Sequence, residues 1–248
     1  MKQIAVITPV PDVINLLVEQ SMLRRSIEKK VVEFHVINLR DFGIGSYRQI
    51  DDTPFGGGSG MVMMAEPLYK AIDAAMEWMD FSDDIRIIYP SAQGKRWDQK
   101  SAENLSKKDK IIIICGHYKG IDERVIEKYV TDEFSIGDFV MTSGEIPAMV
   151  MLDSTVRLIP GTLNNIDSAL TDTFTFGLLD YPHYTQPRMI DGMEVPSILL
   201  SGHHKKIEDW RQEKRETRTK NKRSDLWENY NKDIELSLIH ISEPTRPY

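Results

Sequence analysis

Cysteine is almost missing from this chain: one residue, Cys115, in 248, which excludes an intrachain disulfide and any cysteine-cluster metal site. No apolar run approaches the roughly 20 residues needed to cross a bilayer. The N-terminus, MKQIAVITPVPD, lacks the layout of a secretory signal. A cytoplasmic protein without membrane contact is therefore expected. G-x-G-x-x-G is missing, because neither the Gly56–Gly60 cluster nor any other set has that spacing. G-x-x-x-x-G-K-[ST], H-E-x-x-H and C-x-x-C are missing too. A dinucleotide oxidoreductase, a P-loop nucleotide hydrolase and a zinc hydrolase thus lose their main sequence support.

Net positive charge is also lacking, the total being −7, which argues against simple non-specific nucleic-acid binding. The average hides an asymmetry. From His203 to Arg223 nine Lys/Arg stand against four acids, a net +5 that leaves −12 on the remainder. Such a segment reads either as a localised polyanion contact or as a solvated helix with its own ion pairs.

What is present is an alternation of strands and helices. Lys2–Thr8 reads as a buried strand ended by Pro9. Asp12–Arg25 has helical spacing at Val13, Leu16, Leu17 and Leu23, and Val31–Leu39 alternates as a strand should. A glycine-bearing loop, 40–60, precedes a helix opened by Glu66-Pro67. Ile85–Tyr89 is expected to be a strand broken by Pro90, and Trp97–Ser106 a helix. Lys110–Cys115, with isoleucine at 111 to 114, reads as a strand covered on both faces. A helix over Ile121–Tyr129, a short strand at Phe134–Ile136 and a helix over Glu145–Leu158 complete an α/β domain with a mostly parallel sheet, residues 1–161. Residues 162–175 read as a linker, and 176–235 as a smaller, mainly helical unit carrying the basic segment. The tail, 236–248, resembles the conceptual translation of a sequencing-library adapter and is expected to be non-native.

Three strand ends release into small-residue loops, at Pro90–Gly94, Gly116–Gly120 and Gly137–Gly144. Ends of parallel strands share one rim and can converge on one ligand. Missing Cβ atoms let backbone groups approach it closely. Ordinary tight turns explain any one of these loops, but three together less well.

Their wording carries a resemblance. Gly56-Gly-Gly-Ser-Gly-Met61, Cys115-Gly-His-Tyr-Lys-Gly-Ile-Asp-Glu-Arg124, Ser135-Ile-Gly-Asp-Phe-Val140, Ser143-Gly-Glu-Ile-Pro-Ala148, Gly177-Leu-Leu-Asp180, Pro182-His-Tyr-Thr185 and Gly192-Met-Glu-Val-Pro196, in that order, closely resemble the bacterial tRNA (guanine-N1)-methyltransferase family. The resemblance implies a SPOUT-type trefoil-knotted α/β domain, where general topology rules alone would predict an unknotted doubly wound sheet. It also implies S-adenosylmethionine as methyl donor, a homodimer sharing its active site between subunits, and methylation of N1 of the guanine 3′ of the tRNA anticodon. The donor site is then expected at Tyr89, Pro90, Ser91, Gly116, Tyr118, Ile136, Gly137, Asp138, Phe139, Val140, Met141, Ser143, Gly144 and Pro147.

N1 of guanine is protonated at neutral pH, so the reaction calls for a general base and a cation near O6. By motif position these roles fall to Asp172 and Arg157. Alone, Asp172 would read as a loop or cap residue and Arg157 as a surface ion pair. RNA contacts are assigned to His183, Tyr184, Arg188, His203, Lys205, Arg211 and Arg215. No metal site is assigned. Four departures from the family pattern stand out: Lys119 replaces an acid, which leaves a magnesium requirement open; Phe139 replaces tyrosine; Ser143-Gly144 stands for two glycines; Gln186 replaces arginine. Cys115 is expected to pack rather than react. A SPOUT methyltransferase for another RNA and a non-catalytic RNA-binding homologue remain the alternative readings.

Overall fold

The computed structural model describes residues 1–20, 22–163, 172–174 and 176–242, with 235–242 by backbone alone. Its first unit contains the strands β1 (Lys2–Thr8), β2 (Val32–Asn38), β3 (Asp51–Asp52), β4 (Val62–Met63), β5 (Arg86–Arg96), β6 (Lys110–Ile114) and β7 (Asp132–Ser135). Five of these, all parallel, form the main sheet in the order β2-β1-β6-β5-β7, while β3 and β4 pair apart from it. The helices around the sheet are α1 (Pro11–Gln20), α2 (Met22–Glu28), α3 (Ala65–Trp78), α4 (Gln99–Ser106), α5 (Glu123–Tyr129) and α6 (Glu145–Val156).

The run of isoleucines explains the layering. Successive strand side chains point to opposite faces, so Ile112 and Ile114 join Ala5 and Ile7 in one core with Leu68, Ile72 and Ala75 of α3. Ile111 and Ile113 join Ile4 and Val6 in the other, with Ile14 of α1 and Met151 and Leu152 of α6. A strand buried on both faces must be apolar at consecutive positions, which is what sequence 111–114 shows. Asp98 starts α4 by accepting the Ser101 backbone N–H at 2.8 Å, a cap that satisfies one orphan donor.

Two expectations need correction. Pro90 does not end β5. The strand continues to Arg96 because β7 pairs with both sides of a register shift, Pro90 with Phe134 and then Lys95 with the same residue. Ser91–Gly94 are thereby looped out between two paired stretches, so a proline that lacks a ladder donor sits at an irregularity where none is needed. The single helix expected over Asp12–Arg25 is instead α1 and α2.

The chain divides into two compact units, Met1–Ile166 and Asp167–Tyr248. Of the expected linker 162–175, residues 164–171 and 175 lie outside the described residues. The second unit holds the hairpin β8 (Met189–Ile190) and β9 (Met193–Glu194), then α7 (His204–Lys222) and α8 (Ser224–Ser242). Asp191 and Gly192 both take positive φ, 50° and 77°, the combination a two-residue hairpin turn demands. Of the tail 236–248, residues to Ser242 continue α8 and 243–248 lie outside the described residues. No helix among the described residues is long and apolar enough to cross a membrane.

Candidate active site

The chain reverses direction across the sheet at β6. β5 runs beside the edge, β6 lies inside it, and β7 returns outside β5. Such a switch point opens a crevice at the carboxyl ends of the strands. Here it is a cleft of about 300 Å³, at the lower end of the range for small-ligand pockets. Of the fourteen residues expected at the donor site, thirteen line it: Tyr89, Pro90 and Ser91 from β5, Gly116 and Tyr118 after β6, Ile136 and Gly137 after β7, then Phe139, Val140, Met141, Ser143, Gly144 and Pro147. Asp138 is exposed and does not line the cleft.

Backbone contacts hold the rim. The Gly144 N–H donates to the Gly116 carbonyl at 2.8 Å, and His117 bridges Ser143. A Cβ on Gly144 would come within 2.6 Å of the Gly116 nitrogen, so the two loops meet this closely only through glycine. Ser135 supports the third loop: its hydroxyl donates to the Gly137 carbonyl at 3.0 Å and accepts the Gly137 N–H at 3.2 Å. Tyr89 forms the floor, and burial raises its phenol above the usual range.

Sequence reasoning missed the polar cluster behind this rim. Glu145, only 2% exposed, opens α6 and accepts from the Thr8 hydroxyl at 2.5 Å and from His117 Nε2 at 2.8 and 2.9 Å. Burial pushes its carboxyl up, but hydrogen bonds from His117, Thr8 and Ser143 and the charge of His117 outweigh it, so it lies below the ordinary carboxylate range. The signal available was only an acid in a helix's first turn, which is normally exposed. Its partner Thr8 is 137 positions away. Cys115 is fully buried, and burial together with the Glu145 charge drives its thiol well up. A thiol held protonated is no nucleophile.

Arg157, in the same unit as the cleft, is not among the residues that line it. Arg157 caps α6, its N–H donating to the Asp153 carbonyl at 3.3 Å, and the residue is exposed. Asp172 is exposed and belongs to the second unit. The preceding motif residues Ser168–Thr171 lie outside the described residues.

In the second unit, Tyr184, His203 and Lys205 are exposed. His183 meets Asp180 at 2.7 Å and Arg188 meets Glu194 at 3.0 Å. Arg211 and Arg215 make contacts within the second unit. Both guanidinium groups lie over the Tyr181 ring, at 4.8 and 4.9 Å, and each reaches Glu208 at 3.3 Å. Arg215 also faces Asp180 at 3.9 Å and is only 13% exposed. Arginine stacked and paired in this way braces α7 against the 180–183 turn.

S-adenosylmethionine suits the cleft: glycine backbone on the rim, Ile136, Phe139 and Pro147 as apolar walls, and charged side chains at Lys119, Glu123 and Glu133. Magnesium does not fit in the same way. Among the described residues no three carboxylate, His or Cys side chains converge, and Lys119 brings a cation to the cleft lining.

Comparison with known proteins agrees with this geometry. A family model described as tRNA (Guanine-1)-methyltransferase TrmD matches residues 1–229. A tRNA (guanine-N(1)-)-methyltransferase of Clostridioides difficile (strain 630) is 45% identical over 226 residues, 91% of this chain and 97% of that protein. The proteins of the same description from Christiangramia forsetii and Brevibacillus brevis are 49% and 47% identical, covering 90% and 91% of this chain and 98% and 91% of their own. The parallel α/β sheet and the helical C-terminal region accord with the SPOUT-type fold expected from the motifs. With most of the chain matched at this level, it belongs to the bacterial tRNA (guanine-1)-methyltransferase family.

Proposed function

We propose that this protein transfers a methyl group from S-adenosylmethionine to N1 of the guanine 3′ of the anticodon in tRNA, as a cytoplasmic homodimer whose active site is shared between subunits. The observation that carries the reading is the cleft itself. The stretch looped out within β5 and the loops that follow β6 and β7 close on one site, in a chain of this family. The trefoil threading expected of the fold runs through the loops that clamp at Gly116 and Gly144.

The donor supplies a methyl group on a sulfonium, an electrophile that needs only an in-line nucleophile. The protein's work is therefore to make guanine N1 nucleophilic and to aim it. Asp172 takes the N1 proton, and Arg157 stabilises the negative charge that spreads to O6 as the proton leaves. Asp172 lies near the end of the 162–175 segment, so tRNA binding orders that segment and brings the base over the partner subunit's cleft. An ordering step of this kind commits the enzyme only when substrate is present.

The test is transfer of label from the methyl donor to unmodified tRNA transcripts differing only in the base 3′ of the anticodon. Label enters the guanine transcript and not the adenine one. Absence of transfer to guanine by the intact protein refutes the proposal.

A further inference from the structure

Four ionisable side chains besides the tyrosines line the donor cleft: His117, Lys119, Glu123 and Glu133. His117 is committed to Glu145. Among the described residues, Lys119, Glu123 and Glu133 enter no ion pair with one another or with any neighbour. Both glutamates lie near enough to Tyr89 for their charges to act on its phenol. The cleft therefore offers one uncommitted cation and two uncommitted anions.

Lys119 is placed rather than left to wander. Its N–H donates to the Met61 carbonyl at 3.1 Å. Its stem lies along the glycine-rich loop so closely that a Cβ on Gly60 would come within 3.0 Å of its Cε and 3.3 Å of its Cγ. Gly60 has φ +95°, so glycine serves there twice, by conformation and by leaving room for the lysine. A packed stem reduces the rotamer entropy lost when the ammonium takes a ligand.

The donor carries an α-amino acid, which at neutral pH presents a carboxylate and an ammonium together. We propose that Lys119 receives that carboxylate, with Glu123 and Glu133 on the side of the ammonium. This rests on reading the cleft as the donor site. Lys119 is thus a determinant of donor affinity and of the demand for an intact amino-acid moiety. It takes no part in the proton chemistry.

Two nucleosides test this by titration calorimetry on the full chain: S-adenosylhomocysteine, which keeps the amino acid, and methylthioadenosine, which lacks it. Lys119→Gln is expected to weaken S-adenosylhomocysteine about tenfold, or ~1.4 kcal/mol, and to leave methylthioadenosine unchanged. Lys119→Arg restores most of the loss. Equal weakening of both nucleosides makes Lys119 a prop for the loop and overturns the proposal. No weakening of either overturns it too, and a fall in tRNA affinity alone assigns the cation to RNA instead. Failure of the unaltered protein to bind S-adenosylhomocysteine rejects the donor-site reading itself, a result separable from the others.

Discussion

Replacing Glu145 by alanine removes the acceptor shared by Thr8 and His117, which tie the ends of β1 and β6 to the start of α6. Breaking a buried pair by deleting one partner costs about 3–5 kcal/mol. His117 is 18% exposed, so water recovers part of its loss, and about 3 kcal/mol is expected within that range. With a urea slope of about 3 kcal/mol/M, the upper end for small proteins, the midpoint falls by about 1 M. Protein concentration must be held constant, since association adds to apparent stability. Glu145→Gln keeps the volume and one acceptor, so its loss is smaller and depends on pH. The folded carboxyl titrates below its ordinary value of 4.5. Its contribution is therefore complete above about pH 4.5 and is lost as pH falls through the lower, folded value. The gap between unaltered protein and Glu145→Gln should narrow over that acid window. A midpoint change below about 0.2 M for Glu145→Ala, well under 1 kcal/mol at that slope, or a gap that does not close in acid, refutes the reasoning.

Asp172→Asn should lower single-turnover transfer by about 10² to 10⁴, the usual worth of a general base, while calorimetric S-adenosylhomocysteine binding stays unchanged. Loss of that binding would make Asp172 structural. Arg157→Ala should cost about 10² to 10³ in the same assay, as removal of one charge-stabilising donor does. Gly144→Ala places a Cβ against the Gly116 backbone and should weaken S-adenosylhomocysteine at least about tenfold, with far-UV circular dichroism unchanged. Lys205→Gln and Lys206→Gln together should flatten the salt dependence of tRNA binding, by about 0.7–0.9 in log–log slope for each phosphate no longer neutralised. Arg215→Gln should instead destabilise the second unit, because that side chain is committed to Tyr181 and Asp180.

The isoleucines at 111 to 114 announced a two-faced strand because burial on both sides leaves no polar position to mask the pattern. The three rim loops were legible for a related reason: glycine where a Cβ has no room is a local demand, visible at Gly144, which meets the Gly116 backbone, and at Gly116, which meets the Tyr89 ring, without knowing the partner. Pro90 misled because its rule concerns a missing ladder donor, and pairing of β7 on both sides of the looped-out stretch is a non-local fact. Glu145 was hidden for the same reason, since an acid opening a helix looks solvated until Thr8 and His117 arrive from elsewhere in the chain. The basic segment showed its charge but not the contacts that its arginines make within the chain. Arg211, Arg215 and Arg218 recur at three- and four-residue spacing, a helical face that here meets Tyr181 and Asp180. That spacing was the available signal.

Transfer of label to paired tRNA transcripts is the most direct measurement of the central claim. With guanine 3′ of the anticodon, the intact protein should incorporate one methyl group per tRNA at N1, and with adenine there, none. Equal labelling of both transcripts, or methylation at another position, would contradict it.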